Sequence, residues 1–203
     1  MKNMKKRKSP KEVIEMTRYP KFEHSFIKYS REEPIPTSIV DNGCRENLYQ
    51  TEEDFFKDYS ARLKHPFRKF SGIHTHVVRC GRGEYIDALP SDYDIYILLE
   101  DKREKASIIA QHDPDTGKVE GYTIIRKTKK TPKKVTGIVK NNTWKDETFA
   151  EYRRAINSFF KDKINAEELD EHLLKILDKY HLQRRFVPAD GYKLSGYHFQ
   201  RKR

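Results

Sequence analysis

Hydrophobic and polar positions divide the chain into a strand-rich first two thirds and a helical last third. Phe22 to Tyr29 and Ile35 to Val40 read as two strands, and Asn42-Gly43 supplies a turn after them. Ahead of them, Ser9-Pro10 has the form of a helix cap followed by proline at the first helical position. Val13, Ile14 and Met16 would bury one side of that short helix, which ends before Pro20. Thr51, with Glu52, Glu53 and Asp54 behind it, opens a second helix, since acids in a first turn meet the positive end of the helix dipole. Its apolar positions are Phe55, Phe56, Tyr59 and Leu63, and Pro66 stops it.

Ile73 to Val78 predicts another strand, followed by a glycine-rich loop from Cys80 to Gly83. Ser91 is placed to cap a helix through Ile95, Leu98 and Leu99 to about Glu104. The alternation of Ile95, Ile97 and Leu99 equally suits a strand, so pattern alone leaves this segment open. Ser107 to Gln111 and Val119 to Arg126 predict a hairpin around Asp113 to Gly117, and Val135 to Val139 is a further short β candidate. From Trp144 the period becomes helical. Phe149, Tyr152, Ile156, Phe159 and Phe160 form one stripe, and Leu169, Leu173, Leu174, Ile176 and Leu177 form the next. Such stripes are core faces. Gly191, Tyr192, Gly196 and Tyr197 suggest a small C-terminal hairpin. The expected organisation is a disordered basic tail (1–8), an α/β domain with a mixed sheet flanked by helices (9–140), and a helical appendage with its hairpin (144–203).

Composition narrows the class. At 203 residues, 35% hydrophobic and 36% charged, the chain supports a modest core to which 12 Tyr and 11 Phe contribute. No apolar run has the length of a membrane span, and no apolar stretch follows the basic N-terminus as in a secretory signal. Cys44 and Cys80 make no disulfide framework, which points to a reducing, cytoplasmic setting. The net charge of +11 is uneven. Residues 2 to 11 hold six Lys/Arg and no acid, and residues 126 to 145 hold eight and no acid. Runs of this kind suit an acidic protein or a nucleic acid, or serve only as solvated surface. Lys129, Lys130, Lys133 and Lys134 are the candidate contacts.

The chemistry centres on Gly72-Ile73-His74-Thr75-His76 and Pro90-Ser91-Asp92-Tyr93-Asp94. On a strand, His74 and His76 share a face. A carboxylate beside them completes a two-histidine, one-carboxylate zinc site, whose fourth position stays open for water as in catalytic zinc centres. The bare pair also fits a rolling-circle (HUH) endonuclease, which needs a downstream tyrosine such as Tyr152, or two unrelated surface histidines. Asp92 and Asp94 form an Asp-x-Asp pair, but the Gly-Ser that opens a nucleotidyltransferase motif is lacking. Cys80, four residues past His76, is an alternative ligand.

In order, the chain offers helix, strand with an early glutamate, strand, helix, His-x-His, then Ser-x-x-Asp. Over residues 10 to 126 this resembles the JAMM (MPN, JAB) zinc metalloprotease family. The resemblance implies a JAMM/MPN-like fold and zinc bound by His74, His76 and Asp94. It also implies Glu23 as general base and Ser91 as a donor to the oxyanion, with Glu33 and Glu46 as other candidates for the base. Val77 stands where the family commonly has proline, and the spacing from His76 to Ser91 is longer than usual. The implied activity is zinc-dependent peptide or isopeptide hydrolysis, with ubiquitin-like or other protein tails as substrates. The alternatives are a nucleic-acid-binding protein or HUH-type endonuclease, and an MPN-like interaction module without metal.

Overall fold

The computed structural model describes residues 22–29, 35–41, 67–75, 89–112, 119–140 and 143–189. In chain order they form β1 (Phe22–Tyr29), β2 (Ile35–Asp41), β3 (Phe70–Thr75), α1 (Asp92–Glu100), β4 (Glu104–His112), β5 (Val119–Lys127), β6 (Val139–Lys140), β7 (Thr143–Trp144), α2 (Glu147–Phe159), α3 (Ala166–Lys179) and β8 (Leu182–Pro188). The expected basic tail, the helices around 10–19 and 51–65, the turns at 42–43 and 113–117, the 80–83 loop and the C-terminal hairpin lie outside the described residues.

β1 to β5 and β8 make one mixed sheet in the order β2-β1-β3-β4-β5-β8. All neighbours are antiparallel except β3 and β4, which run parallel. Parallel neighbours need a crossover, and the segment that carries α1 supplies it. The sheet is apolar on both faces. Phe26, Ile73, Ala106, Ile108, Ala110, Tyr122 and Ile124 form a buried cluster on one face. Ile125 and Leu182 join the other face to α1, α2 and α3, whose Ile95, Leu98, Leu99, Phe149, Tyr152, Leu169, Leu173 and Ile176 make the larger core. The helices after residue 144 therefore share a core with α1, and β8 extends the same sheet.

Local signals explain most boundaries. β3 begins at Phe70, before the expected Ile73, because Phe70 to Gly72 pair with Tyr29 to Ile27 of β1. Gly72 leaves room there for the buried Glu104, whose Oε1 would lie 2.6 Å from a Cβ at this position and would have to shift. The segment after Ser91 is helical, decided by its cap, and Asp101 ends it earlier than the expected Glu104. Val135 packs against the helical core, and of that β candidate only Val139 pairs, with Trp144, the strand continuing to Lys140 opposite Thr143. β8 has no counterpart in the sequence reading. No helix among the described residues is long and apolar enough to cross a membrane.

Candidate metal centre

His74 sits near the end of β3, with Ser25 of β1 opposite on one side and Ile109 of β4 on the other. It is buried, with 7% of its surface exposed. Its parity places it on the helix side of the sheet, where the N-terminus of α1 arrives.

That N-terminus is built by Ser91 and Asp94. Ser91 has an extended backbone (φ −69°, ψ 163°), and its hydroxyl accepts from the Asp94 amide at 3.1 Å. The Ser91 amide donates back to Asp94 Oδ2 at 2.7 Å, and the Ser91 hydroxyl donates to the same oxygen at 2.7 Å. This reciprocal pair is a capping box, which satisfies amides the first helical turn leaves without partners. Asp94 is anchored through Oδ2, and its other oxygen, Oδ1, stands 3.3 Å from His74 Nε2.

That separation is informative. Neutral N–H···O bonds cluster near about 2.9–3.0 Å, and charged ones are shorter. Two ligands of a tetrahedral zinc at about 2.0–2.1 Å each stand roughly 3.3–3.4 Å apart. The Nε2–Oδ1 distance of 3.3 Å matches the spacing of two ligands on one zinc ion, and it equally suits a direct imidazole–carboxylate ion pair. Imidazole with carboxylate is also a donor set that suits zinc. The two residues fit the ion.

The other sequence candidates fall as follows. His76, Cys80, Glu33 and Glu46 lie outside the described residues. Among the described residues no group of three or more His, Cys, Asp or Glu is gathered as a metal site. Glu23 lies on β1, the strand that pairs with β3, two residues from Ser25 and toward the end of β3 that carries His74. The Ser91 hydroxyl is engaged with Asp94, so in this structure Ser91 holds the carboxylate, and donating to an oxyanion would require that hydroxyl to rotate.

Asp92 has a different task from Asp94. It is buried, and its Oδ2 pairs with Arg153 Nε of α2. Burial pushes its carboxyl above the usual range, with the Arg153 charge and bond and the Trp144 side chain opposing that push. It ties α1 to α2, which leaves the Asp-x-Asp pattern without a shared site.

Tyr152 is fully buried and donates its hydroxyl to the Pro90 carbonyl at 2.6 Å. Burial first, then the nearby Asp92 and Asp94 charges, push its phenol well above the ordinary value. Its observed place is thus in the core, tied to the Pro90 carbonyl. Tyr152 and Arg153 are the contributors to this region that sequence reasoning missed in their observed role. They act 62 and 61 residues along the chain from Pro90 and Asp92, and no local spacing announces such contacts.

Most of the described lysines of the basic segment face outward. Lys129, Lys130, Lys133 and Lys134 are exposed. The loop beneath them is pinned: Thr128 Oγ1 and Thr131 Oγ1 both donate to the His181 carbonyl, at 2.8 and 2.9 Å, and Ile138 is buried in the helical core. Lys127 points inward instead, its Nζ donating to the Asp101 carbonyl at 2.8 Å, and burial lowers its pKa.

Comparison with known protein families, curated proteins and solved structures finds no match for this chain.

Proposed function

We propose that this protein is a zinc-dependent hydrolase of peptide or isopeptide bonds, of JAMM type, acting on protein tails such as ubiquitin-like ones. The observation that carries the reading is the convergence of His74 Nε2 and Asp94 Oδ1 at 3.3 Å, with the other Asp94 oxygen already anchored by Ser91. His74, His76 and Asp94 would hold the ion. A zinc ion held there would supply Lewis acidity and would bring the pKa of a bound water to about 7. Glu23 takes the proton of the attacking water and returns it to the leaving amine. Ser91 keeps Asp94 oriented, and the helix dipole at the start of α1 favours the ionised carboxylate.

The test is Glu23→Gln in the full chain. The amide cannot accept a proton, so cleavage of a peptide substrate should fall at least about 100-fold, the usual share of a general base. Zinc content should stay at the parent level. Zinc lost together with activity would make Glu23 a ligand, and unchanged turnover would remove it from the mechanism.

A metal-free interaction module is the second reading. One observation favours it: the capping box alone gives Ser91 and Asp94 a structural reason to be there. Zinc content of the purified chain separates the two.

The exposed lysine loop fits an acidic partner, a protein substrate or its carrier. Replacing Lys129, Lys130, Lys133 and Lys134 with Ser should weaken that binding at low salt and flatten its salt dependence, because exposed charges are screened over about 10 Å at 0.1 M. Zinc content and turnover of a small peptide should not change. Zinc lost in the quadruple variant would make the loop structural, and binding equal to the parent at every salt concentration would reduce it to solvated surface.

A further inference from the structure

α2 places two consecutive residues on the two residues that flank Ser91. The Tyr152 hydroxyl donates to the Pro90 carbonyl at 2.6 Å, and Arg153 Nε pairs with Asp92 Oδ2. The Pro90 carbonyl and the Ser91 N–H belong to one peptide unit, which is planar and stiff. That N–H donates to Asp94 Oδ2 at 2.7 Å, and Asp94 Oδ1 faces His74. One rigid plane therefore connects the Tyr152 hydroxyl to the carboxylate beside the histidine. The far end of the connection is equally fixed. Tyr152 is fully buried in the core formed by α1, α2 and α3. Arg153 also lies over the Tyr93 ring, 5.8 Å from its centroid, and Tyr93 and Tyr96 meet Trp144 edge-on at 5.4 and 5.6 Å.

We propose that Tyr152 and Arg153 are positioning residues for the metal ligand Asp94, so that the helical unit after residue 144 sets the metal affinity of a site whose proposed ligands, His74, His76 and Asp94, lie outside that unit. This rests on the metal reading of His74 and Asp94. The physical basis is the general one for ligand-orienting groups: a carboxylate held in its bound geometry before the ion arrives loses less freedom on binding, and removing the holder lowers affinity by about 10–100-fold.

The experiment uses the full chain with Tyr152→Phe, which keeps the ring and deletes the hydroxyl. Zn²⁺ affinity is measured by competition with a chromophoric chelator, and the visible spectrum of the Co²⁺-loaded protein reports ligand geometry. Tyr180→Phe is the control: the Tyr180 hydroxyl also donates to a carboxylate in the same core, but to Asp146 Oδ2, at 2.5 Å, and not to the Pro90 carbonyl. The expected result is a roughly tenfold or greater loss of Zn²⁺ affinity and an altered Co²⁺ spectrum in Tyr152→Phe, with both unchanged in Tyr180→Phe. Arg153→Gln should weaken Zn²⁺ binding as well, and Arg153→Lys should restore part of the loss; this pair decides the matter if Tyr152→Phe does not fold. Parent-like affinity in Tyr152→Phe and Arg153→Gln, or equal loss in Tyr180→Phe, overturns the proposal while leaving zinc binding intact. A parent protein that binds no Zn²⁺ overturns the metal reading itself, which is a different failure.

Discussion

Purified protein carrying the His74→Ala and His76→Ala substitutions together should retain almost no zinc and no hydrolytic activity, beside a zinc-loaded parent. The size of the effect follows from the ligand count. Structural zinc sites bind with roughly 10–16 kcal/mol shared over four ligands, so each ligand is worth on the order of 3 kcal/mol, and losing two exceeds a 1,000-fold drop in affinity. Asp94→Asn gives the sharper companion result. The amide oxygen still accepts from the Ser91 amide, so the cap of α1 survives largely intact and folding stability should change by no more than about 1 kcal/mol. The anionic ligand opposite His74 is lost, and zinc should leave with it. Elemental analysis and chelator competition give the zinc content, and urea unfolding gives the stability. A parent free of zinc, or a double variant that keeps it, ends the hydrolase reading.

Phe149→Ala should lower stability by about 3–5 kcal/mol, the usual consequence of deleting a fully buried aromatic side chain. The Phe149 ring has no exposed surface, stacks on Trp144 at 5.0 Å and meets Tyr180 edge-on at 5.7 Å. It belongs to the same cluster as Ile95 and Leu98 of α1 and Ile125 of β5. Unfolding should therefore shift as one transition. Far-UV circular dichroism follows the whole chain and fluorescence follows Trp144, the single tryptophan, so the two probes report different regions. Coincident curves at a lower urea midpoint are the expected result. An early fluorescence transition ahead of the circular dichroism change would instead mark residues from 144 onward as an independently folding appendage.

Much of the architecture was legible because its signals are local. β1 runs from Phe22 to Tyr29 as the pattern indicated, and β4 pairs antiparallel with β5 as the hairpin reading expected. α2 and α3 follow the leucine and aromatic stripes, closed at their starts by Asp146 and Asn165. The segment from Asp92 to Glu100 was ambiguous, since it carries strand-like alternation and helix-like spacing together. The Ser91–Asp94 cap resolves it, at a range of three residues. β8 stayed hidden for the opposite reason. Leu182 is its buried residue, followed by Gln183, Arg184 and Arg185, and nothing in that run looks like a strand until the edge of β5 pairs with it.

The candidate site divides along the same line. Residue types and spacing, His74 on a strand and Ser-x-x-Asp at a helix start, are properties of short segments, and the sequence by itself indicated them along with the mixed α/β class. The resemblance had singled out Asp94 as the carboxylate beside the histidine, and packing is what brings the two within 3.3 Å. Asp92 and Asp94 are two residues apart at one helix start, yet the first is claimed by Arg153 and the second faces His74. Their directions from the helix axis differ by about 200°, so docking α1 between the sheet and α2 gives each a different neighbour. The parallel pairing of β3 with β4, the burial of Tyr152 and its hold on the Pro90 carbonyl also depend on contacts between segments remote in sequence. Such contacts form only when packing brings the segments together, because their free energy comes from burying apolar surface shared by elements that carry no local record of one another.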